Sequence, residues 1–377
     1  MEAYLDNSAT TPPCAESIAA TQDALTRYWG NPSSLHQAGI EAEHLLSSCR
    51  SSVASAIGCE ADEVFFTSGG TESNNLAIVG AALANRRRGK RIVTSAVEHS
   101  SVMESTKALQ ERGFEVVYLS VDRMGRVSEQ ELARAINRDT ILVSLMAANN
   151  EVGTVQPIDV VRRIVTRVGA PATIHCDAVQ AFGKLRVQPA RLGVDLLTVS
   201  SHKIHGPKGV GALYVRKGVK LNPLLYGGSQ ESKLRPGTEA MPVIAGFAAA
   251  ANALPPVSQS LAYVTGVRDR LLDGLRGMED VRLNSPQDAL PYIVNISVYG
   301  IPSETMLNFL SQRGICVSSG SACAKGKQSR VLRAMGLGDS EITSALRVSF
   351  SRFTTWEEID TLLHALNEAR QTLVRSK

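Results

Sequence analysis

The sequence has few aromatic residues, no long apolar run and no strong excess of either charge. Aromatics make up 5% of the 377 residues against 44% hydrophobic and 20% charged, the balance of a soluble globular protein. No apolar run approaches the roughly 18–20 residues that span a bilayer, so no membrane role is expected. The longest, MPVIAGFAAAANALPP, reads as a buried Ala-rich helix. Net charge is +4, from 40 Lys and Arg against 36 Asp and Glu. That is too small and too dispersed an excess to argue for nucleic acid. The densest basic run, NRRRGKR, follows an apolar helical pattern and reads as a solvated helix end, where cations suit the dipole. MEAYLDNSATTPP has neither a basic nor an apolar region of the kind a secretory signal carries. The six cysteines are widely spaced with no CxxC pair, so reduced thiols in a cytoplasmic protein are expected. No metal site is expected, because His175, Cys176 and Asp177 are adjacent and adjacent residues rarely converge on one ion.

Two lobes are expected at this length. Short β-rich runs (EVFFTS, RIVTSAV, FEVVYLSV, TILVSLMAAN, ATIHCDAV, DLLTVSS, GALYVRK) alternate with amphipathic stretches such as SNNLAIVGAALANRRR and VVRRIVTRVG. Continuous apolar strands joined by helices predict an α/β fold, a mostly parallel sheet covered on both faces. Ligands then sit at the carboxyl ends of the strands. After the break ALPPVSQ the pattern changes to a smaller α+β lobe with the strands DVRLN, YIVNISVYG, GICVSS and RVSFSRF. The expected division is a large domain over 15–256 and a small one formed by 1–14 and 257–377. No internal repeat or low-complexity segment is present.

Three stretches carry chemistry. In VFFTSGGTESNNLAI a strand runs through Ser-Gly-Gly-Thr into a helix. Glycines let backbone approach an anion, and free N–H groups at a helix start bind it, so Gly69, Gly70 and Thr71 form a candidate phosphate cradle. A capped helix start after a glycine turn explains the same residues alone. In HCDAVQAFGKL, Asp177 closes an apolar strand, either as a helix cap or as the partner of a buried cation. In DLLTVSSHKIHGPKGVGALYVRK, Lys203 follows another strand, where an ordinary loop lysine is the competing explanation. Together they are more specific. A phosphate cradle and an acid 26 residues before a lysine, both at strand ends, match the needs of pyridoxal 5'-phosphate. Its aldehyde is held by a lysine amine, its ring nitrogen by a carboxylate and its phosphate by a cradle. His99, in SAVEHSSV, also follows a strand and is a candidate to stack on the ring or move protons.

The chain resembles the cysteine desulfurases of the fold-type I, class V aminotransferase-like family from YLDNSATTPP to LRVSFSRFTTWEEID. The motifs shared in order include NPSSLH, TSGGTESNNLAI, EHSSV, NNEVGTVQPI, HCDAVQAFGK, SSHKIHGPKGVGALYVRK, RPGTE and SSGSAC. The resemblance implies a fold-type I architecture and pyridoxal phosphate bound through Lys203, with Asp177 on the pyridine nitrogen, His99 stacked on the ring and Gln180 on the phenolic oxygen. Gly70, Thr71, Ser200 and His202 correspond to phosphate contacts. Thr238 corresponds to one reaching across from a second subunit, which implies a homodimer. Asn150 and Arg347 correspond to groups near the substrate carboxylate, a task that suits a guanidinium fork.

The resemblance also gives meaning to VSSGSACAKGKQSRVLRAMG, a run too small and polar for a core. Cys323 corresponds to the nucleophile that takes sulfur from L-cysteine, leaves L-alanine and passes the sulfur to an acceptor. The loop, about 318–329, is expected to travel between cofactor and acceptor. An ordinary cysteine is only slightly ionised at neutral pH, so Lys325, Lys327 or a histidine is a candidate to assist. Many relatives carry a longer Leu-Glu-Pro-Ser loop, whereas AKGKQSR here is shorter and more basic. Either an iron–sulfur scaffold or a tRNA-thiolation enzyme therefore fits as acceptor. The other five cysteines are expected to be small hydrophobes, with Cys176 facing away from Asp177 by strand alternation. A selenocysteine lyase or a transaminase would share Lys203 and Asp177, though a transaminase has no use for SSGSAC. A carrier that has lost catalysis would not need the lysine, aspartate and histidine together.

Overall fold

The computed structural model describes residues 3–320 and 328–374. A two-residue β1 (Ala3–Tyr4) opens the chain. The next seven strands are β2 (Val64–Thr67), β3 (Arg91–Ser95), β4 (Glu115–Leu119), β5 (Thr140–Met146), β6 (Thr173–Asp177), β7 (Leu196–Ser200) and β8 (Gly211–Val215). Each lies inside one of the seven β-rich runs. They form one sheet in the order β2-β8-β7-β6-β5-β3-β4. The pairings from β4 through β7 are parallel, while β8 runs antiparallel to both β7 and β2. Alternation divides each strand between two cores. Leu142, Leu196 and Leu213 pack with Leu76 and Ile78 of the helix Gly70–Asn85. Val143, Cys176 and Leu197 pack on the other face with Ile164 and Phe247. Both faces are covered, so the strands carry apolar residues in nearly every position.

Chain order reverses between β3 and β5, which are neighbours although β4 intervenes in sequence. Such a reversal opens a crevice at the carboxyl ends of the strands. His99 follows β3, Asn150 follows β5, Asp177 ends β6 and Lys203 follows β7, so the fold gathers them along one edge.

The remaining strands are β9 (Val281–Leu283), β10 (Ile293–Val298), β11 (Ile315–Cys316) and β12 (Ala345–Ser349). An antiparallel sheet takes β12, β10 and β9 in that order. GICVSS does form a strand, but β11 pairs in parallel with β1. The chain start is then drawn along β12, where Ser349 N–H donates to the Leu5 carbonyl at 2.7 Å and Asn7 N–H to the Ser349 carbonyl at 3.2 Å. The helix in SNNLAIVGAALANRRR runs from Gly70 to Asn85. It starts early because Gly69, at φ 149°, adopts a conformation that favours glycine, and the exposed arginines lie past its end. Among the described residues, no single helix is long and apolar enough to cross a membrane.

Candidate active site

Lys203 closes the short turn Ser201–Lys203 after β7. Its Nζ donates to the carbonyls of Ser8 at 2.5 Å and Ala9 at 2.7 Å. The chain start is locked to the same turn, since Thr11 N–H donates to the His202 carbonyl at 2.9 Å. Asp177, 5% exposed, accepts Asn74 Nδ2 on Oδ2 at 2.7 Å and Val179 N–H on Oδ1 at 3.0 Å. Gln180 donates Nε2–H to the Ser8 carbonyl at 3.0 Å and accepts Lys184 Nζ on Oε1 at 3.3 Å. Lys184 is buried, and that burial, with the nearby Lys203 and Arg347 cations, pulls its ammonium down to about 7.

Beside the lysine is the glycine turn. A Cβ on Gly70 would lie 2.8 Å from Val179 Cγ2 and 3.8 Å from Ser200 Cβ, so only glycine lets this helix start reach the end of β7. The first N–H groups of a helix have no partner within it. The buried Ser200 hydroxyl next to them also has none among the described residues. A buried hydroxyl without a partner is costly, and a phosphate oxygen accepting from it and from the helix N–H groups removes that cost. His202 pairs Nδ1 with Thr10 Oγ1 at 3.2 Å. Its ring is held neutral by burial and then by Lys203, Lys208 and Lys184, which bring it to about 4. Thr71 is exposed in the first helical turn. An amine, a carboxylate and a cradle with an orphaned hydroxyl on one edge fit pyridoxal phosphate.

His99 caps the helix Ser100–Glu111. Its Nδ1 lies 2.8 Å from Ser101 Oγ and accepts Ser101 N–H at 3.2 Å. Asn74 Nδ2 reaches Ser101 Oγ at 2.9 Å as well as Asp177. Burial holds the His99 ring below its usual range against the pull of Asp177, and Lys203 and Arg330 lower it further. Beneath it Glu98 is fully buried, accepting Ser95 Oγ at 2.6 Å and Met146 N–H at 3.0 Å. Burial, then the Asp177 charge, raises its carboxyl to about 8.

At the edge of the small sheet, Arg347 is 1% exposed. It donates through Nη2 to Asp6 Oδ1 at 2.7 Å and through Nη1 to the carbonyls of Asn150 at 3.0 Å and Gly320 at 3.2 Å. Its Nε is buried with no partner among the described residues. An orphaned charged donor is a place for a carboxylate. Cys323, with Lys325 and Lys327, lies outside the described residues. On its two sides, Ser318 N–H donates to the Arg347 carbonyl at 3.2 Å and Ser329 Oγ to Glu151 Oε2 at 2.5 Å. Thr238 is exposed after Gly237.

Cys14, Cys49, Cys59 and Cys176 pack in or against the core as expected, whereas Cys316 is half-buried and not among the core residues. Cys14, Cys49 and Cys176 are buried, and burial pushes the Cys49 thiol to about 11 and that of Cys59 to about 12. Thiols so poorly ionised are poor nucleophiles. Cys176 packs into the core opposite the helix that meets Asp177. Sequence reasoning overlooked Asp6, Ser8, Ala9, Asn74, Ser101 and Lys184. The signal for Ser101 was present, because it lies in the first turn of a helix opening toward the strand ends, and Asn74 sits one turn into another such helix.

Comparison with known proteins points one way. Residues 3–362 match the family described as Aminotransferase class-V. The chain is 44% identical to "Cysteine desulfurase IscS" of Methanosarcina thermophila, covering 98% of this chain and 92% of that protein. It is 41% identical to the protein of the same description from Dictyoglomus turgidum, over 99% and 95%. Among solved structures it is similar to a "NIFS-LIKE PROTEIN" at a TM-score of 0.93 and 38% identity, covering 99% of this chain and 100% of that one.

Proposed function

The chain belongs to the class-V aminotransferase family and is a pyridoxal-phosphate-dependent cysteine desulfurase, and from that premise we propose how its residues divide the work. The observation that carries the proposal is the single edge that gathers the Lys203 amine, the Asp177 carboxylate and the Ser200 hydroxyl, which has no partner among the described residues.

Lys203 would hold the cofactor, Asp177 its ring nitrogen, Gln180 its phenolic oxygen and His99 its face. Gly70, Thr71, Ser200 and His202 would take the phosphate, with Thr238 contributed by the second subunit of a homodimer. When bound, pyridoxal phosphate supplies an electron sink that stabilises negative charge at the substrate α-carbon and weakens the adjoining C–S bond. Arg347, joined by Asn150, would bind the substrate carboxylate through the guanidinium edge that carries the orphaned Nε. The carbonyls of Ser8 and Ala9 aim the Lys203 amine, and as a free base Nζ takes the α-proton of L-cysteine. Cys323, as thiolate, attacks the substrate sulfur. One S–S bond forms and one C–S bond breaks; the pair from the broken bond stays on the substrate carbon, which takes up a proton, and with the α-proton returned the products are L-alanine and a persulfide on Cys323.

The sulfur then passes to an acceptor protein in the cytoplasm, for iron–sulfur cluster assembly or tRNA thiolation. Names such as IscS among the relatives support the first route. Mass spectrometry of the holoenzyme after L-cysteine should find one added sulfur atom on the Cys323 peptide. Cys323→Ser should keep the cofactor yet yield no sulfide. Sulfide release undiminished in that variant would move the nucleophile to another residue.

A further inference from the structure

We propose that Asn74 and Ser101 are positioning residues that hold His99 in the tautomer protonated on Nε2. The inference deepens the reading above and rests on it in one respect, that His99 belongs to the cofactor site. The tautomer itself follows from hydrogen-bond directions alone.

The chain of constraint starts at Asp177. Both of its oxygens accept, Oδ1 from Val179 N–H and Oδ2 from Asn74, so the carboxyl turns a lone pair toward each neighbour. The group of Asn74 facing it is therefore the NH2, since the amide oxygen at 2.7 Å would meet it lone pair to lone pair. The same nitrogen lies 2.9 Å from Ser101 Oγ. Its second hydrogen is spent there, and Ser101 Oγ accepts. The serine hydroxyl has one hydrogen, and the 2.8 Å contact to His99 Nδ1 is where it goes. Ser101 N–H, 3.2 Å from the same ring nitrogen, also donates. Two donors converge on Nδ1, so Nδ1 carries no hydrogen and the neutral ring carries its one hydrogen on Nε2.

Burial keeps the ring neutral, with Lys203 and Arg330 acting in the same direction and Asp177 opposing them. A neutral imidazole protonated on Nε2 can donate from that atom and cannot accept there. His99 thus serves the site as a donor at Nε2, and the work of the base falls to Lys203. Environments that separate an acid from a base in this way mark their assignments. Asp177 exerts this control without touching the ring, through Asn74 and Ser101.

The test is solid-state NMR of apoprotein labelled with 15N at histidine Nε2, with His99→Gln to assign the signal among the seven histidines. Wild type should show His99 Nε2 bearing the proton. Ser101→Ala loses the hydroxyl donor at 2.8 Å and keeps only the longer backbone donor at 3.2 Å, so a share of the Nδ1-protonated form should appear, and Ser101→Thr, which keeps the hydroxyl, should abolish it. Should Ser101→Ala fail to fold, Ser101→Cys, a weaker donor, should also give a mixture. In the holoenzyme Ser101→Ala should lower kcat about tenfold, the worth of one hydrogen bond, with KM unchanged and Ser101→Thr near wild type. A proton on Nδ1 in wild type, or a Ser101→Ala spectrum identical to wild type, would overturn the proposal. If the spectra agree but Cys323 never gains sulfur, the reading of function fails and the tautomer stands.

Discussion

Replacing Lys184 with methionine should stabilise the apoprotein by an amount that depends on pH. Lys184 is 6% exposed, and its partners are Gln180 Oε1 at 3.3 Å and the Tyr292 ring at 5.4 Å. Neither is a carboxylate, while burial and the cations of Lys203 and Arg347 all disfavour its charged form. The ammonium falls from 10.5 to about 7 on folding. At about 1.4 kcal/mol per unit, that shift costs the folded state about 5 kcal/mol when the group is charged. Between pH 7 and 10.5 the unfolded chain binds the proton and the folded chain releases it, so wild-type stability rises with pH across that window. Below about pH 7 both states hold the proton and the cost is constant.

Lys184→Met removes the titration and conserves much of the side-chain volume. The lost Gln180 bond adds an offset that does not vary with pH, so the diagnostic is the slope. Urea unfolding of the two apoproteins at matched concentration should show the variant's advantage shrinking by about 2 kcal/mol from pH 7 to pH 9. Parallel curves for variant and wild type would refute the reasoning, because they would mean that Lys184 keeps an ordinary proton affinity in the fold.

Three other outcomes are expected. Arg347→Lys keeps the charge beside Asp6 but loses the fork, and KM for L-cysteine should rise roughly 10- to 100-fold with the cofactor absorbance unchanged; steady-state kinetics with an unaltered KM would remove Arg347 from the substrate site. Borohydride treatment of the wild-type holoenzyme should leave the cofactor on the Lys203 peptide in mass spectrometry, and Lys203→Ala should be colourless; a modified peptide elsewhere would displace Lys203. His175 is buried between Ser144 Oγ and Thr198 Oγ1 and held down to about 4 by that burial. Its unfolded form takes a proton first as pH falls, so wild type should lose about 3 kcal/mol between pH 6.5 and pH 4. His175→Asn should lose that much less in acid-unfolding curves, and an equal loss would exclude this histidine as the cause.

What the sequence made legible and what it hid divide along a physical line. Lys203, Asp177 and His99 were readable because each ends an apolar strand or follows one within a few residues, and a parallel sheet places all such ends on one edge. The local rule thus contains the global answer. The chain start was not readable in this way. Ser8 and Ala9 act through carbonyls that any residue type supplies, and their partner Lys203 lies about 195 positions away. Asp6 meets Arg347 across 341 positions, and β1 finds β11 through a two-residue pairing too short to leave a periodic signal. These contacts have a common effect. One stretch, from Asp6 to Thr11, holds the amine of Lys203 with its carbonyls and the guanidinium of Arg347 with its carboxylate. Lys203 follows a strand of the large sheet and Arg347 lies in the small one, so this stretch bridges the two residues proposed for cofactor and substrate. On the proposed reading, a substrate carboxylate taken by Arg347 would compete with Asp6, which lies two residues before the carbonyl that accepts from Lys203.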